Sequence, residues 1–123
     1  MIKNKLIIIV HSNEKENINY ALSMSATASA IERKVVLFFS GKTINNLLNE
    51  ESLKLKNIRS KFTFSNNNEL LLANIELGTS FLVCSGALHT NKIDKKNLRK
   101  DINWKITGLT EILADSKNQI VFI

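Results

Sequence analysis

Three short, almost wholly apolar runs constrain the fold of this chain more than any other feature of its sequence. They are Leu6–Val10, Val35–Phe39 and Phe81–Cys84. Apolar runs that are rich in β-branched or aromatic residues and lack polar alternation are typical of strands covered on both faces, as in a parallel sheet. Each run is far shorter than the roughly 20 apolar residues that span a bilayer. We therefore predict buried strands and no membrane-spanning segment.

Helical patterns separate these runs. Residues Glu14–Ile31 carry apolar and small side chains at mostly helical spacing, which predicts a first helix. Thr43 can cap a second helix, and a third is expected to begin at an Asn66 cap and end at Gly78. Strands that alternate with helices predict an α/β fold with a mainly parallel sheet.

The last third of the chain continues the alternation. A short helix and an Asp94-capped turn follow the third strand, Trp104–Ile106 predicts a fourth, and Gln119–Ile123 predicts a fifth after a helix that opens at Gly108. The 123 residues, 44% of them apolar, suffice for one hydrophobic core. We predict a single domain over residues 1–123: a three-layer α/β/α fold of flavodoxin-like size with about five strands.

The charge of the chain raises the question of an acidic partner. It has 17 basic and 11 acidic residues, a net charge of +6, and its basic side chains are 14 Lys and 3 Arg. The basic residues concentrate in segments 54–61 and 92–105, which would be the nucleic-acid footprint if there were one. Arginine can bind a phosphate group through two parallel hydrogen bonds and lysine cannot, so the excess of lysine favours a solvated basic face over nucleic-acid binding.

Within Ser52–Ser65, Phe62 and Phe64 alternate as on a strand or an anchored loop.

Ligands of an open parallel sheet bind outside the carboxyl ends of its strands, so the residues that follow each predicted strand are the candidates for a site. The candidates are His11 and Ser12 after the first strand, Ser40, Gly41 and Lys42 after the second, Cys84, Ser85 and Gly86 at the third, and Thr107 and Gly108 after the fourth. Glycines here would let a ligand approach the backbone, although turns of this kind use glycine in any case.

Cys84 is the only cysteine, so it cannot form a disulfide within the chain. A free thiol fits a reducing compartment, which predicts a cytoplasmic location. Before a helix N-terminus the thiolate would be stabilised, with Lys42 as a nearby cation; alternatively, Cys84 is a buried, inert side chain.

His11 and His89 could orient or deprotonate the thiol. A Cys-His hydrolase or a Cys-His-His zinc site stays open in principle, but no metal-ligand spacing accompanies them, so we predict no metal and no cofactor.

Neither familiar phosphate-binding motif is present. The string Ser40-Gly41-Lys42-Thr43 resembles the end of a phosphate-binding loop, but Val36 stands where that motif requires its first glycine. The first strand is not followed by the Gly-x-Gly-x-x-Gly pattern of dinucleotide-binding folds.

Several segments together resemble the DsrE/DsrF-like family of small sulfur-relay proteins. The resemblance is carried by Phe81–Gly86, Ile93–Leu98, Ile106–Leu109 and Ala114–Ser116, and more loosely by Ala21–Ala30 and Val35–Gly41. It implies a flavodoxin-like fold, a homo-oligomer (trimer or hexamer), and sulfane sulfur carried as a persulfide on Cys84. Because the chain has no second cysteine, the donors and acceptors would be partner proteins or small persulfides.

Three functions therefore stand as hypotheses. The first is a sulfur carrier or sulfurtransferase subunit that acts through Cys84, supported by the other strand-end residues. The second is a non-catalytic oligomeric binding or scaffold module on the same fold, in which Cys84 only packs. The third, ranked last, is nucleic-acid binding through the basic segments.

Overall fold

A five-stranded sheet forms the centre of the molecule. The computed structural model describes residues 4–62 and 66–123. The strands are β1 (Leu6–Val10), β2 (Val35–Phe39), β3 (Ser80–Cys84), β4 (Trp104–Thr107) and β5 (Gln119–Phe122). Their order is β4-β3-β2-β1-β5 and every neighbouring pair is parallel. The predicted α/β fold with a mainly parallel sheet is confirmed.

Helices connect the strands and cover both faces of the sheet. They are α1 (Lys15–Ala30), α2 (Glu50–Leu55), α3 (Asn67–Glu76), α4 (Ser85–Thr90) and α5 (Leu109–Ala114), with 3-10 helices at Gly41–Leu47 and Lys95–Asn97. Among the residues described, no helix is both long and apolar enough to cross a membrane.

The two faces of the sheet are covered unequally. On the first face, Ile8, Leu37 and Val83 pack in one large core with side chains from α1, α2, α3 and α4. On the second face, a much smaller cluster that includes Phe38 is covered by Ile112 of α5. Strands buried on both faces explain the continuous apolar runs, because every side chain of β1 and β2 is buried.

A buried amide joins the two long helices. Asn74 of α3 donates to the carbonyl oxygens of Leu22 (3.1 Å) and Leu70 (2.9 Å), and its Oδ1 accepts from Ser25 (2.6 Å) and Thr79 (3.1 Å). The Asn74 side chain is fully buried. All its hydrogen-bonding positions are filled, which is the condition for a polar group to be tolerated in a core.

Two local predictions need correction. The second helix is a 3-10 helix that begins at Gly41, and the Thr43 hydroxyl, instead of capping it, donates to the carbonyl of Ser40 at 2.6 Å. Residues of the segment 52–65 that were expected on a strand or loop belong in part to α2, because Asn49 caps that helix by accepting from the Ser52 N–H at 2.8 Å. Phe62 is buried as an anchor, and Phe64 lies outside the described residues.

Candidate functional site

The connections that follow β3 and β4 leave the sheet toward opposite faces. The helix that follows β3 is α4, on the first face, whereas the helix that follows β4 is α5, on the second. Cys84 and Thr107 are register partners at the carboxyl ends of these two strands. Adjacent strands whose connections leave to opposite faces open a crevice between them, and ligands of parallel α/β sheets bind in such crevices. Cys84 therefore lies at the edge of the sheet where ligands of parallel α/β folds bind.

A cavity of about 550 Å³ opens at this edge of the sheet and contains Cys84 in its wall. Four other residues singled out by the sequence share the wall, namely His11, Ser40, Gly41 and Lys42. Apolar side chains line it as well: Ile9 from β1, Leu109 and Leu113 from α5, and Phe122 from β5. The cavity thus combines a few polar groups with an apolar wall, as small-ligand sites commonly do.

The His11 ring is held in one orientation from three sides. Its Nδ1 is hydrogen-bonded to the Ser40 hydroxyl at 2.9 Å, and its face stacks on Phe122 with ring centroids 5.6 Å apart. On the third side lies Gly41, where an added Cβ would come within 2.8 Å of the ring. Gly41 also has φ +58, a left-handed conformation that favours glycine. The turn after β2 and the histidine after β1 therefore fit together only with glycine at position 41.

Cys84 is a free, partly buried thiol at the start of α4. With φ −71 and ψ 122 it is the residue that precedes the first helical turn, where backbone N–H groups lack helical partners. A Cβ added at Gly86 would lie 3.8 Å from the Cys84 Sγ, so the sulfur sits beside this turn and the glycine leaves its flank open. Lys42 lines the same cavity as the thiol.

Asn91 completes the wall and was not found from the sequence. Its Nδ2 donates to the carbonyls of Gly41 (3.1 Å) and Ala87 (2.7 Å), and its Oδ1 accepts from Asn45 (3.3 Å). It therefore ties the end of α4 to the turn that carries Gly41 and Lys42. An asparagine after a helix carries no motif, so only the three-dimensional contact reveals it.

The remaining predicted residues are not in the cavity wall. The Ser12 hydroxyl accepts from Asn17 at 2.9 Å in the turn before α1. Ser85 and Gly108 face each other at the β3–β4 crevice, where a Cβ on Gly108 would lie 3.8 Å from the Ser85 Oγ. His89 is exposed on α4 and is not brought to the cavity with His11.

Other wall residues were also missed. Phe122 ends the last strand, so the same strand-end argument would have found it; Leu109, Leu113, Ala87 and Thr90 come from helices and carry no comparable signal. Residues 4–62 and 66–123 contain no group of three or more His, Cys, Asp or Glu side chains arranged to hold a metal ion.

Solved structures share this architecture. The chain is similar to the protein of unknown function MTH1491 from Methanobacterium thermoautotrophicum, with 11% identity and a TM-score of 0.74 over 98% of this chain and 100% of that one. It is similar to the ychN protein from E. coli, with 12% identity and a TM-score of 0.73 over the same shares. The conserved protein of unknown function BT1422 from Bacteroides thetaiotaomicron is 17% identical, with a TM-score of 0.63 over 98% of this chain and 95% of that one.

These likenesses establish the fold alone. No curated protein matches the chain. A sequence profile of the DsrE/DsrF-like family, however, matches residues 4–122, nearly the whole chain. The chain therefore belongs to the DsrE/DsrF-like family.

Proposed function

We propose that this protein carries sulfane sulfur as a persulfide on Cys84 and passes it to the thiol of a partner. The Cys84 thiolate attacks the outer sulfur of a donor persulfide; a new S–S bond forms, the donor S–S bond breaks, and the donor leaves as a thiolate that takes up a proton. An acceptor thiolate then attacks the outer sulfur of the Cys84 persulfide and regenerates the Cys84 thiolate. No net oxidation or reduction occurs.

One observation carries the proposal: the only cysteine of a DsrE/DsrF-like chain reaches the wall of a cavity at the carboxyl-terminal edge of the sheet. Cys84 ends β3, where it packs against the core clusters of both faces. It nevertheless remains partly exposed and reaches the cavity wall, which a purely structural cysteine does not need to do. The apolar wall limits water around the outer sulfur, which protects a persulfide from competing reactions.

The polar wall residues have separate proposed roles. The Lys42 ammonium and the first N–H groups of α4 stabilise the Cys84 thiolate as it attacks and as it leaves. His11, with its ring fixed by Ser40, takes the proton from an incoming thiol or returns it to the departing one. Gly86 leaves room beside the sulfur for the persulfide.

Intact-mass measurement after incubation with polysulfide tests this function. Wild-type protein is expected to gain one or more sulfur atoms, which a reductant removes, and Cys84→Ser is expected to gain none. Ser85→Ala is the matched control, because it removes a neighbouring hydroxyl that is outside the cavity wall. A folded wild-type protein that gains no sulfur, with a thiol that alkylates slowly, would contradict the proposal and favour the non-catalytic binding or scaffold module.

We also propose that copies of the chain associate through the second face of the sheet. Leu113 and Phe122 are 60% and 67% exposed, and Leu109 and Ile120 are exposed on the same face. Contiguous exposed apolar side chains of this kind mark interaction sites. Since Leu113 and Phe122 also line the cavity, a second copy would cover part of its mouth.

A carrier that depends on a reduced thiol would work in the cytoplasm.

A further inference from the structure

The structure joins the two basic segments that the sequence left unexplained. The Asn49 N–H donates to the Asn97 carbonyl and the Arg99 N–H to the Leu47 carbonyl, both at 2.8 Å. The Lys56 Nζ donates to the carbonyl of Lys92 at 3.4 Å. Segments that lie far apart in the chain therefore form one surface, which we call the basic surface and define as residues 54–61 and 92–100.

The basic surface concentrates the positive charge of the chain. It contains nine Lys or Arg side chains and one acidic residue, Asp94, whereas the remainder of the chain is net acidic. Arg99 is paired with Asp101, just outside the surface, at 2.7 Å. The side chains of Lys54, Lys56, Lys92, Lys95, Lys96 and Lys100 are exposed. A groove of about 390 Å³ runs between Lys95, Lys96 and Lys100, with Trp104 in its wall. Such a surface attracts carboxylates and orients an acidic partner as it approaches.

The surface begins at the rim of the Cys84 cavity. Thr90 and Asn91 line the cavity, and the next residue along the chain is the exposed Lys92. A molecule bound at the Lys92 end of the basic surface would therefore have a part of its structure at the mouth of the cavity.

A protein fits this surface better than a nucleic acid. Leu55 is 80% exposed between Lys54 and Lys56, and an isolated leucine has an apolar counterpart on a protein but none on a phosphate backbone. The nearby aromatic side chains, Phe62 and Trp104, are buried and cannot stack on bases. Most of the basic side chains are lysines, which lack the two parallel hydrogen bonds by which arginine binds phosphate.

We infer that the basic surface docks an acidic protein, the donor or acceptor of the sulfur, and directs its thiol to Cys84. This inference rests on the proposed function and names the class of its partner. Docking is electrostatic, so it accelerates exchange with Cys84 at low salt and loses its effect at about 1 M salt, where the Debye length is ~3 Å.

Two short peptides of equal length serve as probes, each with one cysteine activated as a thiopyridyl disulfide. Glutamates flank the cysteine in one peptide and lysines in the other. The Cys84 thiolate attacks the peptide sulfur, a mixed disulfide forms, and the released thiopyridone is followed by absorbance. Wild-type protein is expected to react about tenfold faster with the acidic peptide, as three exposed ion pairs would give.

Matched variants locate the effect. The test variant combines Lys92→Gln, Lys95→Gln and Lys96→Gln. The control variant removes the same charge at the opposite, amino-terminal edge of the sheet with Lys5→Gln, Lys34→Gln and Lys117→Gln. The test variant should react with the acidic peptide about tenfold more slowly than wild type, the control variant less than about threefold more slowly, and both should react normally with a small neutral thiopyridyl disulfide.

Equal rates with the two peptides, or equal losses in the two variants, would overturn the inference. So would salt-sensitive binding of a mixed-sequence RNA that the test variant abolishes, with no preference between the peptides. The peptide reaction needs only a thiol, so it is independent of persulfide chemistry. A preference for the acidic peptide without sulfur uptake would reject the proposed function and leave the docking surface standing; sulfur uptake without the preference would do the reverse.

Discussion

Replacing Gly41 with alanine tests how the turn after β2 positions His11. Gly41 has φ +58, and a Cβ on its backbone would lie 2.8 Å from Cε1 and 3.0 Å from Nδ1 of His11. Real Cβ atoms do not approach other atoms so closely, so the ring must move. Its hydrogen bond to Ser40 at 2.9 Å and its stacking on Phe122 at 5.6 Å would be disturbed together.

The expected loss of stability has two parts. The left-handed backbone of Gly41 costs about 1 kcal/mol with alanine. Displacing the His11 ring removes a hydrogen bond of about 1 kcal/mol and part of an aromatic contact of about 0.5 kcal/mol or more. The free energy of unfolding should fall by about 2.5 kcal/mol, which for a chain of this size lowers the Tm by about 10 °C.

Gly78 supplies the matched control. It has φ +82 after α3, and a Cβ there would meet no atom within 4 Å. Gly78→Ala therefore incurs the backbone strain without a clash and should lose only about 1 kcal/mol. In a His11→Ala background, Gly41→Ala should become no more costly than Gly78→Ala, because the ring that it strikes is gone.

Urea unfolding followed by circular dichroism measures the losses, and the rate of alkylation of Cys84 shows whether the cavity changes with them. Only Gly41→Ala should alter the alkylation rate, since Gly78 lies at the opposite edge of the sheet. Equal losses for the two glycine variants, or a loss for Gly41→Ala that persists in full without the His11 ring, would refute the assigned clash.

Three further changes test other parts of the structure. Asn74→Ala should lower the free energy of unfolding by about 3 kcal/mol in urea titrations, because buried partners in α1 and α3 lose their hydrogen bonds, whereas exposed Asn103→Ala should change it by under about 0.5 kcal/mol; equal losses would contradict the buried network. The hydrogen bond from Arg99 holds the pKa of Asp101 below its ordinary value of 3.8, so the pair stabilises the fold above that pH and ceases to do so as the pH falls through the folded-state pKa. The stability difference between wild type and Asp101→Asn should therefore vanish in strong acid, and a difference that grows there would contradict the pairing. Leu113→Ser should reduce association of the chain in light-scattering measurements without reducing helix content. If the wild type associates and the variant has the same molar mass, the contact between copies lies elsewhere.

The sequence predicted the central strands well because strands buried on both faces have continuous apolar sequences. Leu6–Val10 and Val35–Phe39 were predicted with the bounds that the structure has. Short polar helices have no comparable pattern in the sequence. The six residues of α2 were missed because the helix depends on the Asn49 cap and on contacts of the preceding residues with residues 97–99, and neither feature is periodic.

The candidate site was predicted on its polar side only. The strand-end rule found Cys84, His11 and Lys42, since all carboxyl ends of a parallel sheet share one edge. The apolar side depends on strand order, which periodicity does not encode. Because β5 pairs with β1, Phe122 stacks on His11, and because α5 crosses the second face, Leu113 reaches the cavity.

The unequal covering of the two faces separates stability from chemistry in this protein. Most of the core lies on the first face, so substitutions there act on folding. The second face carries α5 alone among the helices described, and this leaves the cavity whose wall Cys84 shares with His11 and Lys42. A fuller cover of helices would stabilise the sheet further but would bury the thiol. Changes at Leu113 or Phe122 should therefore alter the reactivity of Cys84 more than the free energy of unfolding, because these side chains are already more than half exposed.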